Sequence, residues 1–130
     1  MKVFHCGNCG QLVFFENIQC VKCGYRLAYL PDEGVITPLT QDKDGTWSFP
    51  SDDDTPKYRL CQNNAVENVC TWAVPVEDPN PLCVSCRLTR VIPNLNVPGN
   101  REAWAKLEAA KRRAVYTLIC MHLPIKPKVE

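Results

Sequence analysis

Residues 5–26 read HCGNCGQLVFFENIQCVKCGYR, and the spacing of the cysteines in this stretch indicates how the N-terminal part of the chain folds. It holds two CxxCG steps separated by ten residues, with cysteines at Cys6, Cys9, Cys20 and Cys23. Two residues between paired cysteines let both thiolates point at one ion, and the following glycine can adopt the positive φ that closes such a turn. The pattern predicts one metal site built on two turns.

The residues between the two pairs indicate how the turns are held together. The run LVFF at 12–15 suits a strand, Glu16 and Asn17 suit a turn, and 25–30 suits a second extended segment. This is the pattern of a zinc ribbon, which we place at 1–30. Four thiolates leave no open coordination position, which is typical of structural Zn²⁺ rather than of a catalytic ion.

Two other kinds of site begin with the same cysteine spacing. A redox dithiol needs its CxxC at a helix N-terminus in a βαβ unit, whereas both pairs here lie on hairpin turns. Disulfides need an oxidising compartment, and the start MKVFHCG has no apolar run of signal-peptide length. No stretch approaches the roughly 18 apolar residues of a membrane span. We therefore expect a soluble, cytoplasmic chain, with disulfides as the alternative, and His5 as a neighbour of the site rather than a ligand.

The chain has 130 residues and nine cysteines, and four more of them form a less regular group. These are spaced by eight, twelve and two residues, at Cys61, Cys70, Cys83 and Cys86. The CVSC step follows DPNPL, so it can sit where a loop enters a short helix, as in treble-clef-like sites. We predict a second four-cysteine zinc lobe over 57–99, with buried thiols as the alternative. Cys120 is left over, and we expect it to be a buried free thiol.

The segment between the two cysteine-rich regions differs in composition. Residues 31–56 are rich in Asp, Gly, Thr and Pro and include the acidic run 52–54. Such a segment is typical of a linker or a loosely ordered excursion. Trp47 and Phe49 are expected to pin it onto a neighbouring lobe, and the acidic run is expected to be solvated.

The C-terminal part predicts one long amphipathic helix over 100–123. Asn100 is a candidate N-cap, and no Gly or Pro follows before Pro124. Apolar residues recur at spacings of three and four: Trp104, Leu107, Ala110, Ala114, Val115, Leu118, Ile119 and Met121. Lys106, Lys111 and Arg112 lie largely off this stripe. Two small lobes have too little apolar surface to cover so wide a stripe, so we expect part of the helix to dock on a partner or a further domain.

The uneven distribution of charge along the chain leaves open nucleic-acid binding as an alternative function. The net charge is +1, but residues 1–56 carry about −4 and residues 57–130 about +5. A phosphate-binding face would use Arg87, Arg90, Arg101, Lys106, Lys111, Arg112 and Arg113, with Tyr116 as a stacking candidate. The pI near 7.5 is well below the basic balance usual for such domains. We favour mutual attraction between the two halves.

Three stretches carry a resemblance to a known family. FHCGNCGQLVFFENIQCVKCGYRLAYLPD, CTWAVPVEDPNPLCVSCRLTRVIPNL and WAKLEAAKRRAVYTL together resemble the N-terminal zinc-ribbon region of a bacterial family of zinc-binding metallopeptidases. In that family the ribbon and its helix precede a larger domain with an HExxH motif. Here the only histidines are His5 and His122, so that motif is absent. The resemblance implies that 1–130 is the N-terminal part of such a protein.

These observations predict a small, metal-stabilised α+β fold with a ribbon of β-hairpins, a second zinc lobe and a long C-terminal helix. We expect two structural zinc ions and no catalytic residue, because no nucleophile, phosphate loop or open zinc site is recognisable. The expected function is a non-catalytic module that binds protein or presents substrate to a metallopeptidase domain through the 100–123 helix. The alternative is a nucleic-acid-binding zinc ribbon.

Overall fold

The computed structural model describes residues 3–50 and 56–126. It confirms a small α+β fold with two four-cysteine clusters and a C-terminal helix. The elements in chain order are β1 (Phe4–His5), β2 (Leu12–Val13), β3 (Arg26–Leu30), β4 (Val35–Gln41), β5 (Trp47–Ser48), β6 (Tyr58–Leu60), α1 (Gln62–Ala65), β7 (Ala73–Pro75), a 3₁₀ turn (Cys86–Leu88) and α2 (Asn100–Cys120). Neither helix in the described ranges is long and apolar enough to cross a membrane.

The strands form two sheets. β1 and β2 pair antiparallel as the ribbon hairpin, and β3 to β7 follow one another as a five-stranded antiparallel sheet. The sheet curls so that β3, at one edge, approaches the segment that leads into β7, at the other edge. The Tyr29 N–H donates to the Thr71 carbonyl at 3.1 Å, and Tyr29 and Trp72 form a parallel bridge. The result resembles a small, partly closed barrel.

The prediction of a linker over 31–56 is wrong for much of that segment, which contributes β4 and β5 to the sheet. β4 pairs with β3 from Leu30↔Val35 to Arg26↔Leu39. Gly34, at φ 70°, closes the connecting turn. The Gly, Asp and Thr residues thus mark hairpin turns rather than a flexible connection. Trp47 and Phe49 pack as predicted, against the barrel core. The acidic run 52–54 lies outside the described residues.

Alternation along β3 divides the interior into two cores. Ala28 and Leu30 face the barrel interior with Leu39, Tyr58 and Ala73. The intervening residues, Leu27 and Tyr29, face the opposite side, as the period of two in a strand requires. That second core joins the ribbon, both cysteine clusters and α2. The two cysteine-rich regions therefore pack against each other through shared apolar residues.

Aromatic rings fill the centre of this shared core. Tyr29 lies 4.8 Å from Trp72 and 5.3 Å from Phe15, and Phe15 lies 5.0 Å from Tyr116, measured between ring centroids. Phe4 stacks on Phe15 with 6.3 Å between the ring centroids. Aromatic pairs in such stacked, tilted and edge-to-face arrangements contribute about 0.5–1.5 kcal/mol each beyond the area buried. The cluster connects the ribbon, the sheet and the helix.

The buried face of α2 differs from the predicted apolar stripe. The buried residues are Trp104, Glu108, Arg112, Val115 and Tyr116. Leu107 and Met121, by contrast, are 71% and 61% exposed. Arg112, which the sequence places largely off the apolar stripe, is thus part of the buried face. The buried face of α2 includes both Glu108 and Arg112, which form hydrogen bonds with residues outside the helix. It therefore differs from the face that the apolar spacing alone predicts.

The ends of α2 also correct the sequence prediction. The N-cap is Gly99, at φ 87°, and Asn100 is the first helical residue. The Asn100 amide instead donates to the Asn94 carbonyl at 3.0 Å, which anchors the preceding loop. The helix ends at Cys120, which is exposed rather than buried. The last turn directs Ile119 toward the core in its place.

Candidate metal centres

The first cluster comprises the four cysteines of the two CxxCG steps. Their sulfur atoms all lie within 4.8 Å of one another, with 3.7 Å between Cys6 and Cys23 and 3.5 Å between Cys9 and Cys20. A Zn–S bond of 2.3 Å in a tetrahedron places the sulfurs about 3.8 Å apart. The donor set and its spacing fit a four-thiolate zinc site. His5 is exposed and lies outside the four-sulfur set.

The two turns of the first cluster have matching backbone geometry. Gly10 and Gly24 have φ of 76° and 79°. The Gly10 N–H donates to the Cys6 carbonyl at 2.8 Å, and the Gly24 N–H donates to the Cys20 carbonyl at 2.9 Å. Backbone N–H groups of Cys23 and Lys22 also lower the pKa of the Cys20 thiol to about 6. The second turn thus favours the Cys20 thiolate before any metal binds, whereas the pKa of Cys9 in the first turn is raised to about 11.

The second cluster brings together four cysteines from separate elements. Cys61 directly precedes α1, Cys70 lies just before β7, Cys83 lies in the loop and Cys86 begins the 3₁₀ turn. Their sulfurs also lie within 4.8 Å of one another, with 3.8 Å between Cys70 and Cys83. All four residues are buried, whereas Cys9 and Cys23 of the first cluster are partly exposed. The second site is the better shielded of the two.

Backbone donors and shared protons set the charge of the second cluster. The Cys83 N–H donates to the Cys61 sulfur at 3.3 Å, and the Cys86 N–H donates to the Cys83 sulfur at 3.4 Å. Hydrogen bonds with the other three thiols hold the pKa of Cys61 far below its usual value. Hydrogen bonds with Cys61 instead raise the pKa values of Cys70 and Cys83. Four sulfurs in one buried site ionise together only when a cation compensates them. All nine cysteines are free thiols.

Helix α2 is tied to both cysteine regions by buried polar contacts. The Arg112 guanidinium donates to the Val69 carbonyl at 2.7 Å, next to Cys70, and to Glu16 Oε2 at 2.8 Å in the ribbon. Glu108 Oε1 accepts from Thr89 Oγ1 at 3.0 Å, at the end of the turn that carries Cys86. Sequence patterns missed these contacts because the partners are far apart in the chain.

Most of the proposed phosphate-binding side chains already have carboxylate partners. Arg87 pairs with Asp78 at 2.5 Å, Arg101 with Glu67 at 2.9 Å and Lys111 with Glu108 at 2.8 Å. Arg112 is buried on Glu16. Tyr116 is 7% exposed within the aromatic core, so the prediction that it stacks on a base is wrong. Of the seven basic residues in the predicted phosphate-binding face, four are exposed: Arg90, Arg101, Lys106 and Arg113.

A cavity of about 510 Å³ lies beside the second cluster. Its walls are mainly apolar and include Val84, Leu88 and Ile119. Asp78 at its rim is paired with Arg87, and this contact holds the pKa of the Asp78 carboxyl below its usual value. A carboxylate held ionised in this way is a poor proton acceptor at neutral pH.

Comparison with known proteins gives a family and several relatives. A family model described as a zinc-ribbon domain, DZR_6, matches residues 3–97. The chain is 33% identical over 125 residues to uncharacterized proteins of Mycobacterium bovis and of two strains of Mycobacterium tuberculosis. These matches cover 96% of this chain and 33% of each relative, so the chain spans about a third of their length. No solved structure matches the chain.

Proposed function

The chain belongs to the DZR_6 zinc-ribbon family, and on that premise we propose that it is a non-catalytic protein-interaction module built around two structural zinc ions. The first ion is held by Cys6, Cys9, Cys20 and Cys23, and the second by Cys61, Cys70, Cys83 and Cys86. One observation carries this proposal: eight sulfurs form two separate sets of four, and within each set the sulfurs lie within 4.8 Å of one another, which fits coordination of one zinc ion by four thiolates.

The role of the metal in this proposal is architectural. A structural Zn²⁺ contributes on the order of 10 kcal/mol of apparent folding free energy in small domains. β1 and β2 have only two residues each, and a hairpin of that size is not stable alone in water. The zinc ions would therefore hold the ribbon and the second cysteine region in the positions from which α2 is docked.

The same donor sets argue against catalysis at zinc. A catalytic zinc keeps a coordination position for water, whereas four thiolates occupy all positions of a tetrahedron. The sequence has no HExxH motif, and its two histidines, His5 and His122, are 117 positions apart. The cavity beside the second cluster is lined largely by apolar side chains. In our proposal the chain acts by binding.

The length of the relatives supports a role within a larger protein. This chain matches only about a third of each mycobacterial relative. We propose that the module docks on or presents substrate to a further domain, of the zinc metallopeptidase type implied by the sequence resemblance, through the 100–123 region. We propose a reducing, cytoplasmic location, because eight of the nine cysteines would serve as zinc ligands rather than in disulfides.

A proteolysis assay tests the non-catalytic part of this proposal. The zinc-saturated chain is incubated with unfolded casein, with a mock purification as the control. We expect no cleavage above the mock. Cleavage that is lost in Cys83→Ser but kept in Cys120→Ser, the exposed thiol, would overturn the proposal, because it would place a reactive metal at the second cluster.

A further inference from the structure

The outward side of α2 carries a stripe of exposed apolar residues that ends at the C-cap Met121 and is interrupted by the exposed Thr117. We call this stripe the outer face: Ala103, Leu107, Ala110, Ala114 and Met121. All five residues are exposed, and Leu107 and Met121 reach 71% and 61%. Their spacings of three, four and seven place them on one side of the helix. The outer face runs along about 27 Å of helix at 1.5 Å per residue.

The outer face follows a heptad pattern that is dominated by small residues. Leu107, Ala114 and Met121 occupy a positions, Ala103 and Ala110 occupy d positions, and the third d position is the polar Thr117. Small side chains let a second helix approach closely, because the distance between helix axes depends on the residues at the contact. This surface has the shape that packs against a helix.

Basic residues flank the outer face. Lys106 and Arg113 are at g positions and Lys111 is at an e position. Lys106 and Arg113 are exposed, and neither makes an ion pair within 3–50 or 56–126. Lys111 pairs with Glu108. The flanks of this helix surface thus carry two exposed basic side chains without an ion pair in the described residues, with one acidic residue, the exposed Glu102, one turn before Lys106.

That charge disfavours a second copy of the chain as the partner. In a parallel pair, Lys106 of one helix would face Lys111 of the other. In an antiparallel pair, Lys106 would face Arg113. Both arrangements place like charges opposite each other, which costs stability at e and g positions. A partner helix with Glu or Asp at its flanking positions would remove this cost.

We propose that the outer face of α2 is the docking site for an acidic amphipathic helix of a partner protein or domain. This inference rests on the proposed function and specifies its contact surface. Apolar residues of the partner would pack on Leu107 and Met121 across the alanines, and its carboxylates would pair with Lys106 and Arg113.

Two synthetic helical peptides test this inference on the full, zinc-loaded chain. Both carry Leu at their a and d positions; one has Glu and the other Lys at e and g. We expect the Glu peptide to bind and the Lys peptide to bind at least about tenfold more weakly. Binding should weaken with added salt, because exposed charges are screened.

Point variants distinguish peptide binding at the outer face from nonspecific binding elsewhere on the chain. Leu107→Glu should weaken binding of the Glu peptide at least about tenfold, the equivalent of losing one buried leucine contact. Val91→Glu is the matched control, because Val91 is an 84% exposed apolar residue that lies in the loop before α2 and outside the outer face. This variant should bind like the wild type. The double variant Lys106→Glu with Arg113→Glu should prefer the Lys peptide.

Several results would overturn the inference. One is equal binding of both peptides, or no binding of either. Another is dimerisation that Leu107→Glu abolishes, which would assign the outer face to a second copy. A third is Leu107-dependent binding to phosphatidylserine vesicles without peptide binding, which would assign it to a membrane surface. None of these changes the zinc content or the casein result, so failure here is distinguishable from failure of the proposed function.

Discussion

Arg112 and Glu16, which are 96 positions apart in the chain, form an ion pair at 2.8 Å between α2 and the ribbon. The Arg112 side chain is 4% exposed and also donates to the Val69 carbonyl next to Cys70. One guanidinium thus joins the helix to both cysteine regions. The two terminal nitrogens are matched in this way, which offsets the cost of burying the charge, whereas Nε is buried without a hydrogen-bond partner among the described residues.

Replacing this arginine should destabilise the whole fold. Arg112→Met keeps the length of the side chain but leaves Glu16 and the Val69 carbonyl without their donor. We expect a loss of about 3 kcal/mol in the free energy of unfolding, measured with urea. The adjacent Arg113→Met is the matched control, since Arg113 is exposed, and should change stability by less than about 0.5 kcal/mol. Equal losses would contradict the role of the ion pair.

The turn glycines of the first cluster should resist substitution. Gly10→Ala forces a Cβ into a backbone at φ 76°, which costs about 1–2 kcal/mol. Gly7→Ala provides the comparison, because Gly7 lacks positive φ and its added Cβ would meet only the Pro38 ring, with Cδ at 3.4 Å and Cγ at 3.8 Å. Urea unfolding of the zinc-loaded proteins measures both. A Gly7 variant less stable than the Gly10 variant would show that space rather than conformation limits this turn.

Cys120 should be the one thiol that reacts in the native, metal-loaded protein. It is exposed, whereas the other eight cysteines belong to the two clusters. Iodoacetamide followed by mass spectrometry should add one label natively and nine after denaturation with chelator. Cys120→Ser should remove the native label with little change in stability. Native labelling of a cluster cysteine in that variant would argue against a closed metal site.

The two metal ions should leave at different rates. The first cluster includes the partly exposed Cys9 and Cys23, whereas all four residues of the second are buried. Release to excess chelator, followed with a zinc dye, should therefore be biphasic, and Cys9→Ser should remove the faster phase. A single phase, or loss of the slower phase in Cys9→Ser, would contradict the assignment.

Nucleic acid should not bind appreciably. Arg87, Arg101 and Lys111 are paired with carboxylates, and Tyr116 is buried. Fluorescence anisotropy with single-stranded and duplex DNA and RNA at low salt should show no saturable binding. Tight binding that falls steeply with added salt would revive the alternative function, because phosphate contacts carry that dependence.

Local sequence patterns predicted the two cysteine clusters better than they predicted how α2 and the strands pack. The CxxCG turns were predictable because spacing and glycine conformation act within a few residues. The buried face of α2 was not, because Glu108 and Arg112 are buried through Thr89, Val69 and Glu16, which no helical period reveals. The composition of 31–56 predicted a linker, because turn residues at hairpin ends resemble those of a flexible segment.

The most direct test of two structural zinc ions is the mass of the purified chain under native and then denaturing conditions, before and after chelation. We expect the native mass to exceed the denatured mass by two zinc ions, with nine thiols reactive after denaturation. A mass difference of one zinc ion would agree with the zinc ribbon alone and would refute the second zinc site. No zinc, with a mass lower by about two hydrogens per cysteine pair, would mean disulfides and contradict the account.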